Sequence, residues 1–199
     1  MNTLLIDTHF LDIIIILLKD GKVVDKGEVI NKKNNSEYIM PTIIKVIDGI
    51  KLDEIIIVNG PGSFTGVRLG VTIAKSLAYL LNIPIKTITT LEVMAISNKS
   101  YKVAFSDNNG YYLGEFNSNF DKRKEYKYID NKEFINNYNE YDTNYNLDAE
   151  EIYKFLSKRE PTNPHIVNPL YIKKIGVEID KKSDNKWFNG YKWFRIKIT

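Results

Sequence analysis

The sequence predicts a mixed α/β protein of two related lobes, and three observations support this fold class. First, the opening hundred residues alternate apolar runs with segments of helical periodicity in the order β-β-β-α-β-α. Second, a glycine-rich turn at residues 60–66 joins an apolar strand to a helix, as in α/β sheets. Third, a strand ending in aspartate recurs at Asp7 and Asp107, which lie 107 − 7 = 100 positions apart in a chain of 199 residues. We expect lobes at residues 1–98 and 99–199, the second smaller and ending in a basic aromatic tail.

The first three strands are predicted from apolar composition and one turn. Residues 3–6 and 12–18 are mostly apolar, and the second run is rich in isoleucine, as buried strands are. The Asp20-Gly21 pair that follows favours a two-residue hairpin turn, because both residues tolerate a positive φ. A third strand over residues 23–30 then completes a meander.

Helices and parallel strands alternate through the rest of this lobe. Residues 36–48 carry isoleucine at every fourth position, which indicates a helix, although Pro41 requires that it start late or bend. Residues 55–58 predict a strand buried on both faces, and a long helix follows the glycine-rich turn. Another strand is expected at residues 84–88, with Thr90 capping a short helix after it.

The second half of the chain is less regular. Strands are expected at residues 103–107, 111–116 and 124–129. Two helices follow, a short one that Asp130 can cap and one over residues 148–158 with Glu150 and Glu151 in its first turn. The tail at residues 181–199 contains six basic residues, one acid and both tryptophans. This composition suits either a hairpin packed on the second lobe or contact with RNA or an acidic partner.

Composition excludes several classes of function. Apolar residues make up 43% of the chain, enough for a core, and the absence of cysteine rules out disulfides and thiol catalysis. The net charge of +3 is too small for a strong nucleic-acid-binding footprint. No apolar run approaches the ~18 residues of a membrane span, and no signal peptide is seen, so a cytoplasmic protein without membrane contact is expected. The only histidines, His9 and His165, cannot form a metal-binding pair, and no catalytic set is recognised.

The glycine-rich turn is the strongest candidate site. Gly60, Gly62 and Gly66 allow a sharp turn and the close approach of another group. Ser63 and Thr65 can cap the following helix, where free main-chain amides attract anions. The spacing does not match a Walker A loop, because valine follows Gly66 where lysine is required. These five residues predict either a nucleotide phosphate site or only a tight, well-capped turn.

Polar residues at the ends of two strands form a second candidate. Asp7 and Thr8 close the first strand, and Asp107 closes its counterpart in the second lobe. In a two-lobed fold with nucleotide between the lobes, such aspartates could hold a hydrated Mg²⁺. The alternative is that each carboxylate only hydrogen-bonds its own turn. We favour the turn for Asp107 and leave both interpretations open for Asp7.

A long segment of the chain resembles a known family. Residues 59–78, which contain the glycine-rich turn, are similar to the signature of the TsaB (YeaZ) family. Residues 5–8 and 168–173 are similar to further segments of that family, and the resemblance is strong over residues 1–97 but weak at 117–165. It implies an actin-like (ASKHA, ribonuclease H-like) fold with a reduced second lobe.

The resemblance also implies a function. TsaB-like proteins are non-catalytic partner subunits in making N6-threonylcarbamoyladenosine (t6A) at position 37 of tRNAs that read codons beginning with A. They pair with a catalytic TsaD-like paralogue, act with a TsaE-like ATPase and meet tRNA through the complex. No intrinsic cofactor is implied, although ATP or ADP with Mg²⁺ could bind at the partner interface. A self-sufficient actin-like metabolite kinase is the alternative.

The helix after the glycine-rich turn has more apolar surface than one sheet requires. Its apolar residues cover an arc of roughly 200°, whereas packing on a sheet needs only about 100°. Glycine or alanine recurs at every fourth residue from Gly66, which forms a low ridge that another backbone can approach. The alternative is that this ridge packs on the chain's own sheet. We predict an interface with the TsaD-like partner, or with a second copy in a homodimer, at Ile39, Ile43, Val67, Gly70, Val71, Ala74 and Ala78.

Overall fold

Two β-sheets organise the molecule in the computed structural model, which describes residues 1–10, 12–30 and 36–173. The tail at residues 181–199, with its expected hairpin, lies outside the described residues. The first sheet contains β1 Asn2–Asp7, β2 Ile13–Lys19, β3 Lys22–Val29, β4 Glu54–Val58 and β5 Ile85–Ile88. The second contains β6 Lys102–Asp107, β7 Gly110–Glu115 and β8 Lys127–Asp130. The helices are α1 Ser36–Ile47, α2 Phe64–Leu81, α3 Thr90–Asn98, α4 Asn131–Asn137 and α5 Ala149–Leu156.

The first sheet has the strand order β3-β2-β1-β4-β5. Strands β1 to β3 form the expected antiparallel meander, and Asp20 and Gly21 turn between the last two with φ of 50° and 80°. Strand β4 runs parallel to β1, and β5 runs parallel to β4. The alternation predicted for the first hundred residues is therefore confirmed.

Helices cover both faces of the first sheet, which explains why its strands are apolar on both sides. Helices α1 and α2 pack on one face, where Ile43 and Ala74 are buried in the core. Helices α3 and α5 cover the other face through Val93 and Ile152. Because α3 also packs against β6 and β7, nearly all of its residues are buried.

The second sheet repeats the beginning of the first in reduced form. Strands β6 to β8 form an antiparallel meander followed by α4, which is the order β1-β2-β3-α1. On the open edge of β6, Asp142 bridges Val103 in parallel, and its carbonyl accepts from the Ala104 amide at 2.8 Å. In the first sheet, the corresponding position beside β1 is occupied by the full strand β4. In the second sheet, the single bridge from Asp142 takes the place of that strand. The lobe boundary at residue 98 stays a prediction.

Two helix starts differ from the predictions. Helix α1 begins at Ser36 and contains Pro41, so the late start that was one of the two expectations is not found, and a bend stays a prediction. Burial of its apolar face outweighs the one hydrogen bond that proline cannot donate. Helix α3 is capped by Thr89, whose Oγ1 accepts from the Glu92 amide at 3.1 Å, and not by Thr90.

No segment was expected to be apolar enough to span a membrane, but α2 is, by a test of length and composition alone. Its 18 residues have a mean hydropathy of 1.2, which meets that test by length and composition. Its packing supplies another reason for this composition, because Val67, Val71 and Ala78 lie in the core beside β1 and β4. Its other side carries the charged residues Arg68 and Lys75.

Candidate functional site

The turn between β4 and α2 is held by main-chain geometry. Gly60 has a φ of 101°, which residues with a side chain rarely adopt, and this explains the glycine. The Gly60 carbonyl accepts a hydrogen bond from the Thr90 amide at 2.9 Å. The Thr90 hydroxyl donates to the Pro61 carbonyl at 2.7 Å, so the start of α3 fastens the turn from behind.

The next glycines bring α2 against the residues that follow β1. A Cβ atom on Gly62 would lie 2.2 Å from the His9 carbonyl oxygen, and one on Gly66 would lie 2.2 Å from the Thr8 carbonyl oxygen. A Cβ on Gly70 would lie 2.1 Å from Thr8 Oγ1, which itself donates to the Gly66 carbonyl at 2.8 Å. The three glycines therefore allow a close helix–strand contact within the chain.

The amides of this turn are also used internally. The Ser63 amide donates to the His9 carbonyl at 2.6 Å, and the Gly66 amide donates to Ser63 Oγ at 3.3 Å. Ser63 is therefore the N-cap of α2, which begins at Phe64 and not after Gly66, whereas Thr65 lies exposed in the first helical turn. Because these two amides are already bonded and the glycines are required for close packing on Thr8 and His9, the geometry favours the tight-turn interpretation.

Asp7 is a buried carboxylate with both oxygens engaged. Its Oδ1 contacts His9 Nδ1 at 2.5 Å, and its Oδ2 accepts from the Tyr145 hydroxyl at 2.5 Å. Burial alone raises the pKa of Asp7, but the charge and hydrogen bonds of His9, together with the Tyr145 hydroxyl, bring it below its ordinary value. Burial, and then the Asp7 charge, raise the pKa of Tyr145 well above normal. The described residues contain no group of three or more His, Cys, Asp or Glu side chains that could hold a metal ion.

Asp107 is more open than Asp7 and makes the local turn contacts that we expected. It accepts from the Asn109 amide and the Tyr128 hydroxyl, each at 2.8 Å, and Lys173 Nζ lies 3.7 Å away. Partial burial raises the pKa of Asp107, but these three groups outweigh it and hold the pKa below its ordinary value. The Asp107 carboxylate is therefore ionised at neutral pH. It hydrogen-bonds within its own turn, as the sequence predicted.

A cavity of about 450 Å³ lies between the glycine-rich turn and the β6–β7 hairpin. Gly62, Phe64, Asp107, Tyr112 and Tyr171 are among its lining residues. The cavity thus brings Gly62 and Asp107 to one place, as a nucleotide site between lobes requires. Neither Asp7 nor Thr8 lines it, because their polar atoms are engaged behind the turn.

A C-terminal segment that the sequence did not assign to the site closes one side of this cavity. The Leu170 amide donates to the Asn59 carbonyl at 2.8 Å, and Asn59 Nδ2 donates to the Asn168 carbonyl at 3.2 Å. Lys75 Nζ donates to the Val167 carbonyl at 2.9 Å. The one sequence signal for this role is the similarity of residues 168–173 to a family segment.

The structure corrects the predicted partner interface. All seven residues chosen for it are buried in the chain's own core or against β1, so the small-residue ridge packs on the chain's own sheet. Helical periodicity identified the apolar residues of these helices but could not show which of them pack on the sheet and which stay exposed. The buried residues are Ile39, Ile43, Val67, Gly70, Val71, Ala74 and Ala78.

The same two helices nevertheless carry an exposed apolar surface. Leu80 of α2 is 76% exposed and Ile44 of α1 is 61% exposed. Met40, Tyr79 and Leu81 add further exposed apolar area on α1 and α2, which contact each other. We call these five residues the outer helix face. Contiguous exposed apolar patches mark protein–protein contact sites, and these five residues are the candidates for one on α1 and α2.

The order β3-β2-β1-β4-β5, with helices on both faces and a shortened repeat after it, defines an actin-like (ASKHA, ribonuclease H-like) α/β protein. Solved structures confirm this fold. YeaZ from Pseudomonas aeruginosa matches with a TM-score of 0.69 and 15% identity, over 85% of this chain and 99% of that one. A second P. aeruginosa structure is described as an uncharacterized protein with similarity to peptidase YEAZ. It matches with a TM-score of 0.70, over 86% of this chain and 99% of that one.

Sequence comparisons match curated proteins named TsaB and a family model named TsaD. The tRNA threonylcarbamoyladenosine biosynthesis protein TsaB of Bacillus subtilis is 37% identical over 106 residues, which are 51% of this chain and 46% of that protein. TsaB of Escherichia coli is 34% identical over 100 residues, or 48% and 43% of the two chains. The family model "TsaD: tRNA N6-adenosine threonylcarbamoyltransferase" matches residues 29–105. These findings confirm the resemblance to the TsaB family, over less than half the length of the curated relatives.

Proposed function

We propose that this chain is a non-catalytic partner subunit in the formation of t6A at position 37 of tRNAs that read codons beginning with A. In this role it binds and activates a TsaD-like paralogue, acts with a TsaE-like ATPase and meets tRNA only through the complex. The observation that carries the proposal is the outer helix face, which exposes apolar side chains on the helix of the family signature. The names of the B. subtilis and E. coli relatives support the pathway.

The outer helix face supplies the energy for this association. Full burial of a leucine or isoleucine side chain contributes roughly 1.5–3 kcal/mol. Leu80 and Ile44 are mostly exposed in the free chain, so a partner can gain most of this contribution from each. A standard protein–protein interface buries about 800 Å² on each partner, so surface beyond these two side chains must also take part. In the absence of the paralogue, a second copy is the expected occupant.

The chain's own residues do not fit a nucleotide. The Ser63 and Gly66 amides of the glycine-rich turn are already bonded within the chain, and both oxygens of Asp7 are engaged by His9 and Tyr145. We therefore place any ATP or ADP with Mg²⁺ at the interface with the partner, where the partner supplies the cationic and metal-binding groups. Titration of the isolated chain with ATP and Mg²⁺ should give no binding signal, and the same titration of the complex should give one.

Co-elution with the TsaD-like paralogue of the same cell tests the proposal. Leu80→Asp should leave the chain folded and abolish co-elution on size exclusion, because a carboxylate on the outer helix face cannot be buried in an apolar contact. Ile135→Asp is the matched control, since Ile135 is 68% exposed on α4, away from α1 and α2. It should co-elute as the wild type does.

Reconstituted activity provides the second test. The chain alone should neither modify tRNA nor turn over ATP, and t6A should appear only when the paralogue and the ATPase are added. Phosphorylation of a small metabolite by the purified chain alone, sensitive to substitution of Asp107, would instead support the kinase.

A further inference from the structure

The first turns of α2 hold an arginine in a fixed orientation. Arg68 Nε donates a hydrogen bond to the Tyr171 hydroxyl at 2.5 Å. Its guanidinium carbon lies 3.8 Å from the centroid of the Phe64 ring and 5.5 Å from that of Tyr171. Phe64 and Tyr171 are themselves in contact, with centroids 5.7 Å apart. The guanidinium is thus stacked and oriented before any partner arrives.

Within the part of the chain that the structure describes, this oriented cation has no counter-ion. Among the residues that the structure describes, no carboxylate lies within 4 Å of Arg68, and its two terminal nitrogens donate no hydrogen bond. Other cations nearby are already satisfied: Lys75 donates to main-chain carbonyls, and Lys173 lies beside Asp107 and Tyr128. Both terminal nitrogens of Arg68 are therefore free to form a forked pair with an incoming planar anion.

The surroundings of Arg68 have the composition of an interface hot spot. Phe64 is 51% exposed and Tyr171 is 50% exposed, although both are large aromatic residues. Arginine and tyrosine carry much of the binding energy in protein interfaces, and rings that surround a charge exclude water from it on docking. The cluster also lies on α2, the helix that contributes Leu80 to the outer helix face.

We propose that Arg68 is a specificity-determining docking residue, which forms a two-pronged ion pair with a carboxylate side chain of the partner protein. Phe64 and Tyr171 cover this pair from water. The inference rests on the proposed function and adds to it the chemistry that the partner must present. A carboxylate fits better than a phosphate, because one isolated guanidinium in an aromatic rim balances a single negative charge. A nucleotide carries several charges, which one guanidinium does not balance, and the Ser63 and Gly66 amides of the adjacent turn are already bonded within the chain.

Binding of the TsaD-like paralogue to three variants tests the inference. Arg68→Gln should weaken the affinity by about tenfold or more, because a desolvated carboxylate of the partner loses its counter-ion. Arg68→Lys should recover only part of the affinity, because lysine keeps the charge but lacks the planar fork. Lys158→Gln is the matched control, since it removes the same charge from an exposed position beyond α5 and should bind as the wild type does. Among these variants, only Arg68→Gln should bind with an affinity that depends less steeply on salt concentration than that of the wild type.

The outcomes separate the inference from the proposed function. If Leu80→Asp abolishes binding but Arg68→Gln binds with wild-type affinity, the chain is a partner subunit and the inference about Arg68 is wrong. If Arg68→Gln loses ATP binding by the complex while its affinity for the paralogue is unchanged, the guanidinium binds phosphate and the inference is also wrong. If the folded wild-type chain does not bind the paralogue at all, both the proposed function and the inference fail.

Discussion

The hydroxyl of Tyr145 donates a hydrogen bond of 2.5 Å to Oδ2 of Asp7, which joins the end of β1 to a loop 138 positions later. On its other side the same carboxylate contacts the His9 ring, and that ring packs against Phe105 of β6 with centroids 5.1 Å apart. A continuous set of contacts therefore links the first sheet to the second through one buried charge. The position that suggested a magnesium ligand has a structural role in this chain.

Tyr145→Phe should lower the free energy of unfolding by about 1.5–3 kcal/mol, the usual contribution of a hydrogen bond to a buried charged group. Urea unfolding followed by circular dichroism measures this difference. Tyr111→Phe is the matched control, because Tyr111 stacks on Phe134 and its hydroxyl makes no hydrogen bond within the described residues. Equal stability of the two variants would contradict a structural role for the Asp7–Tyr145 contact.

The stability of the wild type should fall in acid, and Asp7 determines part of this fall. In the folded state the pKa of Asp7 lies below its ordinary value of 3.8, so the unfolded chain takes up this proton first. The contribution of Asp7 is therefore fully present well above pH 3.8 and is lost as the pH decreases through the folded pKa. Asp107 contributes with the same sign, because its pKa is also lowered. Urea midpoints measured from about pH 5 to pH 2 should fall less steeply in Asp7→Asn than in the wild type. An unchanged slope would show that Asp7 is not paired in this way.

Gly62→Ala should destabilise the fold by about 3 kcal/mol or more, because the new Cβ would lie 2.2 Å from a main-chain oxygen that cannot rotate away. Gly49→Ala is a useful comparison, since Gly49 has open space around it but a φ of 77°. That control should lose only about 1–2 kcal/mol, the cost of the left-handed conformation. Comparable losses in the two variants, measured by thermal unfolding, would mean that close packing against His9 is not what requires glycine at position 62.

Local patterns predicted the elements of the first lobe but not the contacts that join distant parts of the chain. The isoleucine-rich run of β2 and the Asp20-Gly21 turn each depend on neighbouring residues, so the meander was predictable. The contacts of Tyr145 with Asp7 and of Tyr171 with Arg68 span 138 and 103 positions, and no local pattern encodes them. The apolar arc of α2 was recognised, but a helical wheel does not show that the sheet covers Ala74 while Leu80 faces outward.

Two arginine substitutions on α2 should affect folding differently. The comparison shows which side of the helix the sheet leaves uncovered. Ala74 is completely buried against the sheet, and Ala74→Arg would place a charge in the apolar core at a cost of several kcal/mol. This variant should fail to fold, with loss of the far-ultraviolet helical signal and of soluble expression. Thr72→Arg introduces the same side chain two residues away, at an exposed position of the same helix, and should remain folded. A folded Ala74→Arg protein with native stability would mean that the ridge of small residues does not pack on β1 and β4. The original interpretation of that ridge as a partner interface would then have to be restored.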